Sequence, residues 1–200
     1  MWGVGFLPLG WARFFDTDAS SCANIICDAA AHPAFAHFAG LTEALCVPGA
    51  SLDEQYDALV AAMAAAMRPS RDEPRIARVH AALVSGDHAS VRDIADACAM
   101  SIRTLERICM RYFGFSPKLL MRRQRFMRSL TTHMLQRGTR WTEVMDAHYH
   151  DQAQFTREFM TMNPSEYAAL DHPILTSFME ARAKVWGSAA QMLDPPAPLR

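Results

Sequence analysis

Asp93-Ile94-Ala95, followed by Ser101-Ile102-Arg103-Thr104-Leu105-Glu106-Arg107, recurs fifty residues later as Glu143-Val144-Met145 and Asp151-Gln152-Ala153-Gln154-Phe155-Thr156-Arg157. In each copy a short apolar-periodic stretch precedes a turn. A Ser or Asp, both good helix N-caps, then opens a second stretch that carries an arginine six residues on. The pattern predicts a helix, a tight turn and a second capped helix, made twice. An internal repeat of this kind weighs more in a fold reading than any single residue. In the first copy Ile94, Ala95, Cys98, Leu105 and Ile108 fall at helical spacings that face one core, and small Ala95 permits a close crossing. The other face of the second helix carries Arg103, Thr104, Glu106 and Arg107.

Between the copies, Ser116-Pro117 is a cap with proline at the first helical position. A helix is expected from there to about Gln136, before Gly138. At about 1.5 Å per residue it spans roughly 30 Å. Successive major grooves on one DNA face recur at about 34 Å. A rod of that length, docked through Leu119, Leu120, Phe126 and Leu130, would set two helix-turn-helix units in neighbouring grooves.

The charge map agrees. The chain has 200 residues and a formal net charge of −1, but residues 91–140 hold 11 basic and 3 acidic side chains. Residues 1–90 hold 5 and 10, and residues 141–170 hold 1 and 5. One cationic block in a near-neutral chain is the electrostatic footprint of a polyanion partner. Half the residues are apolar, enough for a core, yet no run of eighteen apolar residues suggests a membrane span. The apolar opening Trp2 to Gly10 lacks a basic leader, so no signal peptide is expected. Five cysteines without CxxC spacing suggest reduced thiols and a cytoplasmic protein.

Outside the repeat the signals are uneven. Gly3, Gly5, Pro8 and Gly10 interrupt an apolar stretch that reads as strand or loop, and Ser20 to Phe38 as one or two short helices. Ser51 with Glu54 is a capping box opening a helix through Tyr56, Leu59, Val60, Met63 and Met67. Arg75 to Ser85 is expected to form a helix with Ile76, Val79 and Leu83 on one side and Gly86 at its end. His172 to Met192 reads as one more helix, and the Pro195-Pro196-Ala197-Pro198 tail as disordered. The expected fold is mainly α: two helix-turn-helix units joined by a long helix, with a small N-terminal region of mixed or helical structure. The divisions are 1–70 (N-terminal), 73–170 (tandem helix-turn-helix) and 171–200 (helix and tail).

Ile94-Ala95 through Ser101-x-x-x-Leu105-x-Arg107 and Tyr112-Phe113-Gly114-Phe115-Ser116-Pro117 resembles the first half of an AraC/XylS-type DNA-binding domain. Tyr149-His150-Asp151-Gln152-Ala153-Gln154-Phe155-x-Arg157-x-Phe159 with Asn163-Pro164-Ser165-Glu166-Tyr167 is similar to that family's second-half signature. The resemblance covers about residues 75–170. It implies a sequence-specific transcription regulator whose base contacts fall on Arg103, Glu106, Arg107, Gln152, Gln154, Thr156 and Arg157. Ser101, Arg111, Ser116, Lys118, Arg122 and Arg123 are the expected phosphate contacts, since helix N-termini and basic side chains bind phosphate. Double-stranded DNA is the implied partner, with RNA polymerase and a second copy, paired through the N-terminal region, as further candidates.

The chain departs from the family pattern in three ways. His148 stands where a glycine is usual, cap and proline are sixteen residues apart in the first unit but thirteen in the second, and only about 70 residues precede the helices. A truncated regulator acting as a protein-interaction module, with weak or no DNA binding, is the alternative. Glu106 has two readings, an acceptor for cytosine or an intrahelical partner of Arg103. His148 and His150 flank a turn without a third ligand of suitable spacing, so no metal is expected. No cofactor is implied, and no nucleophile-base pair or phosphate loop suggests an enzyme.

Overall fold

The structure is a computed structural model and describes residues 4–135. The second helix-turn-helix with Gln152, Gln154, Thr156 and Arg157, His148 and His150, and the helix and tail of 171–200 lie outside the described residues. The described residues hold seven α-helices and no strand. In order these are α1 (Pro8–Phe14), α2 (Leu41–Leu45), α3 (Leu52–Ala66), α4 (Glu73–Ser85), α5 (Val91–Ala97), α6 (Ile102–Ile108) and α7 (Pro117–Leu135). Short 3-10 turns occupy Ala19–Cys22 and Pro33–Phe38, and a π-helical turn, Cys109–Phe113, continues α6. The chain forms two compact units. One joins Met1–Arg78 to Arg103–Phe115. The other, as far as it is described, holds Val79–Ile102 and residues from Ser116 onward.

In the first unit residues 4–7 of the stretch read as strand or loop are irregular, as expected, whereas residues 8–10 open α1. Pro8 sits in its first turn, where the fixed φ suits a helix and no N–H is missed. The helix sets Trp11, Phe14 and Phe15 around Phe6, Phe35 and Phe38. Phe15 lies at the centre, 6% exposed, with its ring 4.3 Å from Trp11, 4.9 Å from Phe6 and 5.4 Å from Phe35. The Phe6 and Phe35 rings meet Phe15 edge-on, and such pairs contribute about 0.5–1.5 kcal/mol each beyond burial. The π-helical turn packs on α1 and on the Ala19–Cys22 turn. It ends at Gly114 in a left-handed conformation (φ 80°), where a Cβ would lie 3.3 Å from the Ala19 carbonyl oxygen. Only glycine meets both demands without strain.

The capping box of α3 forms as expected. The Ser51 amide donates to Glu54 at 2.8 Å and the Glu54 amide to Ser51 Oγ at 3.2 Å. The Ser51 amide and the Ser51 hydroxyl, both donating to the carboxylate, hold Glu54 below its usual range. Its apolar side is only partly covered: Leu59 is buried, while Tyr56 and Val60 remain exposed.

The second unit draws on the C-terminal part of α4 and on α5 and α7. Along α4 the buried positions are Ile76, Val79, His80 and Leu83, one face of a 3.6-residue period. A capping box opens α5, the Ser90 amide donating to Asp93 and the Asp93 amide to Ser90. The helix ends in a Schellman motif: the Met100 amide donates to Ala95 and the Ala99 amide to Asp96, each at 3.0 Å. The left-handed position is taken by Ala99 (φ 52°), not by glycine, a placement that costs about 1 kcal/mol. On α7, Leu120, Gln124, Ser129 and Leu130 are buried. Arg128 lies over the C-terminal end of α4, its guanidinium 2.8 Å from where a Gly86 Cβ would stand. A cation there complements the helix dipole.

His80 was not expected in the core. Burial pushes its pKa down from 6.5 to about 4, so it is neutral at pH 7. The unfolded chain binds a proton below about pH 6.5 that the folded chain refuses until about pH 4. Stability from this site is therefore full above pH 6.5 and falls as pH drops from there to about 4. His80→Leu is expected to flatten the fall in unfolding free energy across that window in urea titrations. An unchanged slope would remove His80 as its cause.

Candidate nucleic-acid interface

The cationic residues of the first repeat take different environments. On α6, Leu105 and Ile108 are fully buried, leaving Arg103, Glu106 and Arg107 on the exposed side. Among the described residues neither Arg103 nor Glu106 forms an ion pair. The intrahelical reading of Glu106 is therefore not what the structure shows, and both groups face solvent. Arg107 is half-exposed and engaged, its Nη1 3.9 Å from Asp72 Oδ2. Arg111, on the π-helical turn, lies 3.7 Å from Asp18 and 5.5 Å above the Tyr112 ring. Both expected contacts thus carry structural duties within their own unit.

Asp72 explains the arrangement around Arg107. Its side chain is only 8% exposed. It accepts from Arg75 Nη1 at 2.9 Å and from the Tyr112 hydroxyl at 2.9 Å, with Arg107 behind. Burial alone would raise the carboxyl's pKa, but these hydrogen bonds and the charges of Arg107 and Arg75 outweigh it. The net effect holds the group below its usual range. Burial, and then the same contact with Asp72, raise the Tyr112 phenol. Asp72 thus contributes stability above its ordinary pKa of about 3.9 that is lost as pH falls through the lower folded value.

In the second unit Ser101 is exposed immediately before α6. Ser116 caps α7, accepting from the Leu119 amide at 3.4 Å. Lys118 and Arg122 are exposed and, among the described residues, form no ion pair. Arg123, Arg125 and Arg128 are half-buried. Burial and the adjacent Arg122 charge lower the Arg123 guanidinium's pKa. The helix thus offers fewer exposed cations than its count of arginines suggested. Its 19 residues correspond to about 28 Å.

The described groups that best suit DNA are Arg103 and Glu106 on α6 and Lys118 and Arg122 on α7. Arginine pairs bidentately with guanine, and glutamate accepts from cytosine N4. Two features were missed from sequence: Asp72 as the partner of Arg107, and the aromatic cluster around Phe15. The only signal for the first was an acidic residue one position before a helix; for the second, aromatic crowding in residues 6–38. Among the described residues no group of three or more His, Cys, Asp or Glu is placed to hold a metal ion, and no helix is long and apolar enough to cross a membrane.

Tyr112→Phe removes one donor from a buried carboxylate and is expected to lower stability by about 1.5–3 kcal/mol in urea unfolding. A change below about 0.5 kcal/mol, the range of ordinary surface substitutions, would contradict this account of Asp72.

No family model, curated protein or solved structure matches this chain.

Proposed function

We propose that the chain is a sequence-specific DNA-binding transcription regulator of the AraC/XylS type. The helix after Ser101, and a second after Asp151, read the major groove. The observation that carries this reading is the outer face of α6, where Arg103 and Glu106 stand exposed and, among the described residues, without ion pairs, in the most cationic fifty residues of the chain. Lys118 and Arg122 supply phosphate contacts on α7. Affinity falls steeply with salt, because neutralised phosphates release counterions. The first copy supplies most of the binding energy, since residues 91–140 are strongly basic and residues 141–170 acidic.

Arg103 is the discriminating residue, because Arg107 also touches Asp72 and its loss would disturb the fold. Selection from a random DNA pool at fixed salt is expected to enrich one site. On that site Arg103→Ala weakens binding about five- to a hundredfold, the worth of one bidentate base contact, and Arg157→Ala weakens it less. No enriched site contradicts the reading. An equal or larger loss for Arg157→Ala contradicts the asymmetry.

A second reading, a protein-interaction module, is favoured by α3. Leu52, Tyr56 and Val60 recur every fourth residue and are 73%, 55% and 47% exposed. Such a stripe suits pairing with a second copy through the N-terminal region. Sedimentation is expected to show a dimer that Val60→Glu dissociates. A monomeric wild-type chain would exclude it.

A further inference from the structure

We propose that the unit formed by Met1–Arg78 and Arg103–Phe115 contains a binding site for a small oxyanion of about two negative charges, of the phosphate or dicarboxylate class. This site is independent of the DNA reading. It is a cavity of about 240 Å³ whose wall includes Arg13, Arg68, Arg71, Arg107 and Arg111. The five arginines come from four separate stretches: α1, the segment between α3 and α4, α6 and the π-helical turn. Among the described residues, Asp16 and Asp72 are the acidic groups on the wall.

The carboxylates nearby do not saturate these arginines. Arg13 meets Glu73 through Nε and Nη2 at 2.9 and 2.8 Å, while its Nη1 reaches only the Met67 sulfur at 3.7 Å. Arg68 meets Asp16 at 3.3 Å, with both side chains largely in water. Arg107 and Arg111 stand 3.9 and 3.7 Å from their carboxylates, beyond the 2.7–3.2 Å of good N–H···O bonds. Arg71 forms no ion pair among the described residues. Each guanidinium presents five donors in a fixed fork, so several remain for a ligand. Around the cavity, Arg13, Arg68, Arg71, Arg75, Arg107 and Arg111 face Asp16, Asp18, Asp72 and Glu73, leaving two positive charges unbalanced.

A concave site with one sign of charge focuses potential and concentrates counterions. Planar arginine forks match the oxygens of phosphate and carboxylate. The volume is below the roughly 300–1,000 Å³ of drug-sized pockets, which limits the ligand to a small anion. Arg107 and Arg111 lie at the inner end of α6 and on the turn that follows, so an occupant would clamp these elements to the start of α4.

Thermal unfolding and calorimetric titration of the full chain with inorganic phosphate, and separately with succinate, test the site without DNA. Chloride at matched ionic strength is the reference. Phosphate or succinate is expected to raise the melting temperature beyond chloride, because a ligand that binds only the folded chain stabilises it. The exposed pair Arg68→Ala/Arg71→Ala is expected to weaken the anion about tenfold or more, the worth of charge-assisted hydrogen bonds, without changing the melting temperature in chloride. Arg71→Glu is expected to weaken it further, and Arg92→Ala on α5 to leave it unchanged. No stabilisation by either anion beyond chloride, or equal affinity in the wild-type and double-variant chains, overturns the proposal.

Discussion

A buried carboxylate organises the first unit. Ionised Asp72, its side chain only 8% exposed, would be costly without partners, and its partners come from separate parts of the chain. Arg75 is local, one turn into α4, whereas Tyr112 and Arg107 arrive from about 35 to 40 residues downstream. Satisfying that one group fixes the start of α4 against the end of α6 and its π-helical turn. The rest of the unit extends from there: the turn ends at Gly114 under the Ala19 carbonyl, and α1 closes its aromatic cluster against the same turn.

The same constraint sorts the arginines. A guanidinium near Asp72 is held by charge, and one farther along α6 is not. Arg107 therefore belongs to the architecture as much as to any outward face, while Arg103, one turn nearer the start of α6, and Glu106 stay exposed. On α7 the division comes from packing, as Arg128 covers the end of α4 and Arg122 remains in water. A count of basic residues thus overstates the surface available to a polyanion. It also conceals the concave cluster beside Asp72, where the arginines exceed the carboxylates.

Elements whose signals are local were legible in sequence. The Ser51–Glu54 box, the Ser116-Pro117 start and the Ile76, Val79, Leu83 face all appear where their chemistry places them. So do the exposed Arg103 and Glu106, because helical periodicity assigns Leu105 and Ile108 inward. What stayed hidden depends on contacts distant in sequence. Pro8 and Gly10 looked like breakers, yet proline is welcome in a first turn and α1 is held by rings as far away as Phe35 and Phe38. His80 shares the face of Ile76, Val79 and Leu83 by position, but as a polar residue it carries no hydrophobic signal to mark it as core. The Asp72 contacts were invisible because no local pattern marks a carboxylate whose partners lie so far downstream.

Amide hydrogen exchange in the wild-type and Tyr112→Phe chains tests most directly whether Asp72 joins these segments. If it does, losing the Tyr112 hydroxyl lowers protection together in residues 8–22, 70–78 and 103–113. Faster exchange confined to residues beside Tyr112, with α1 and the start of α4 as protected as before, would contradict the account.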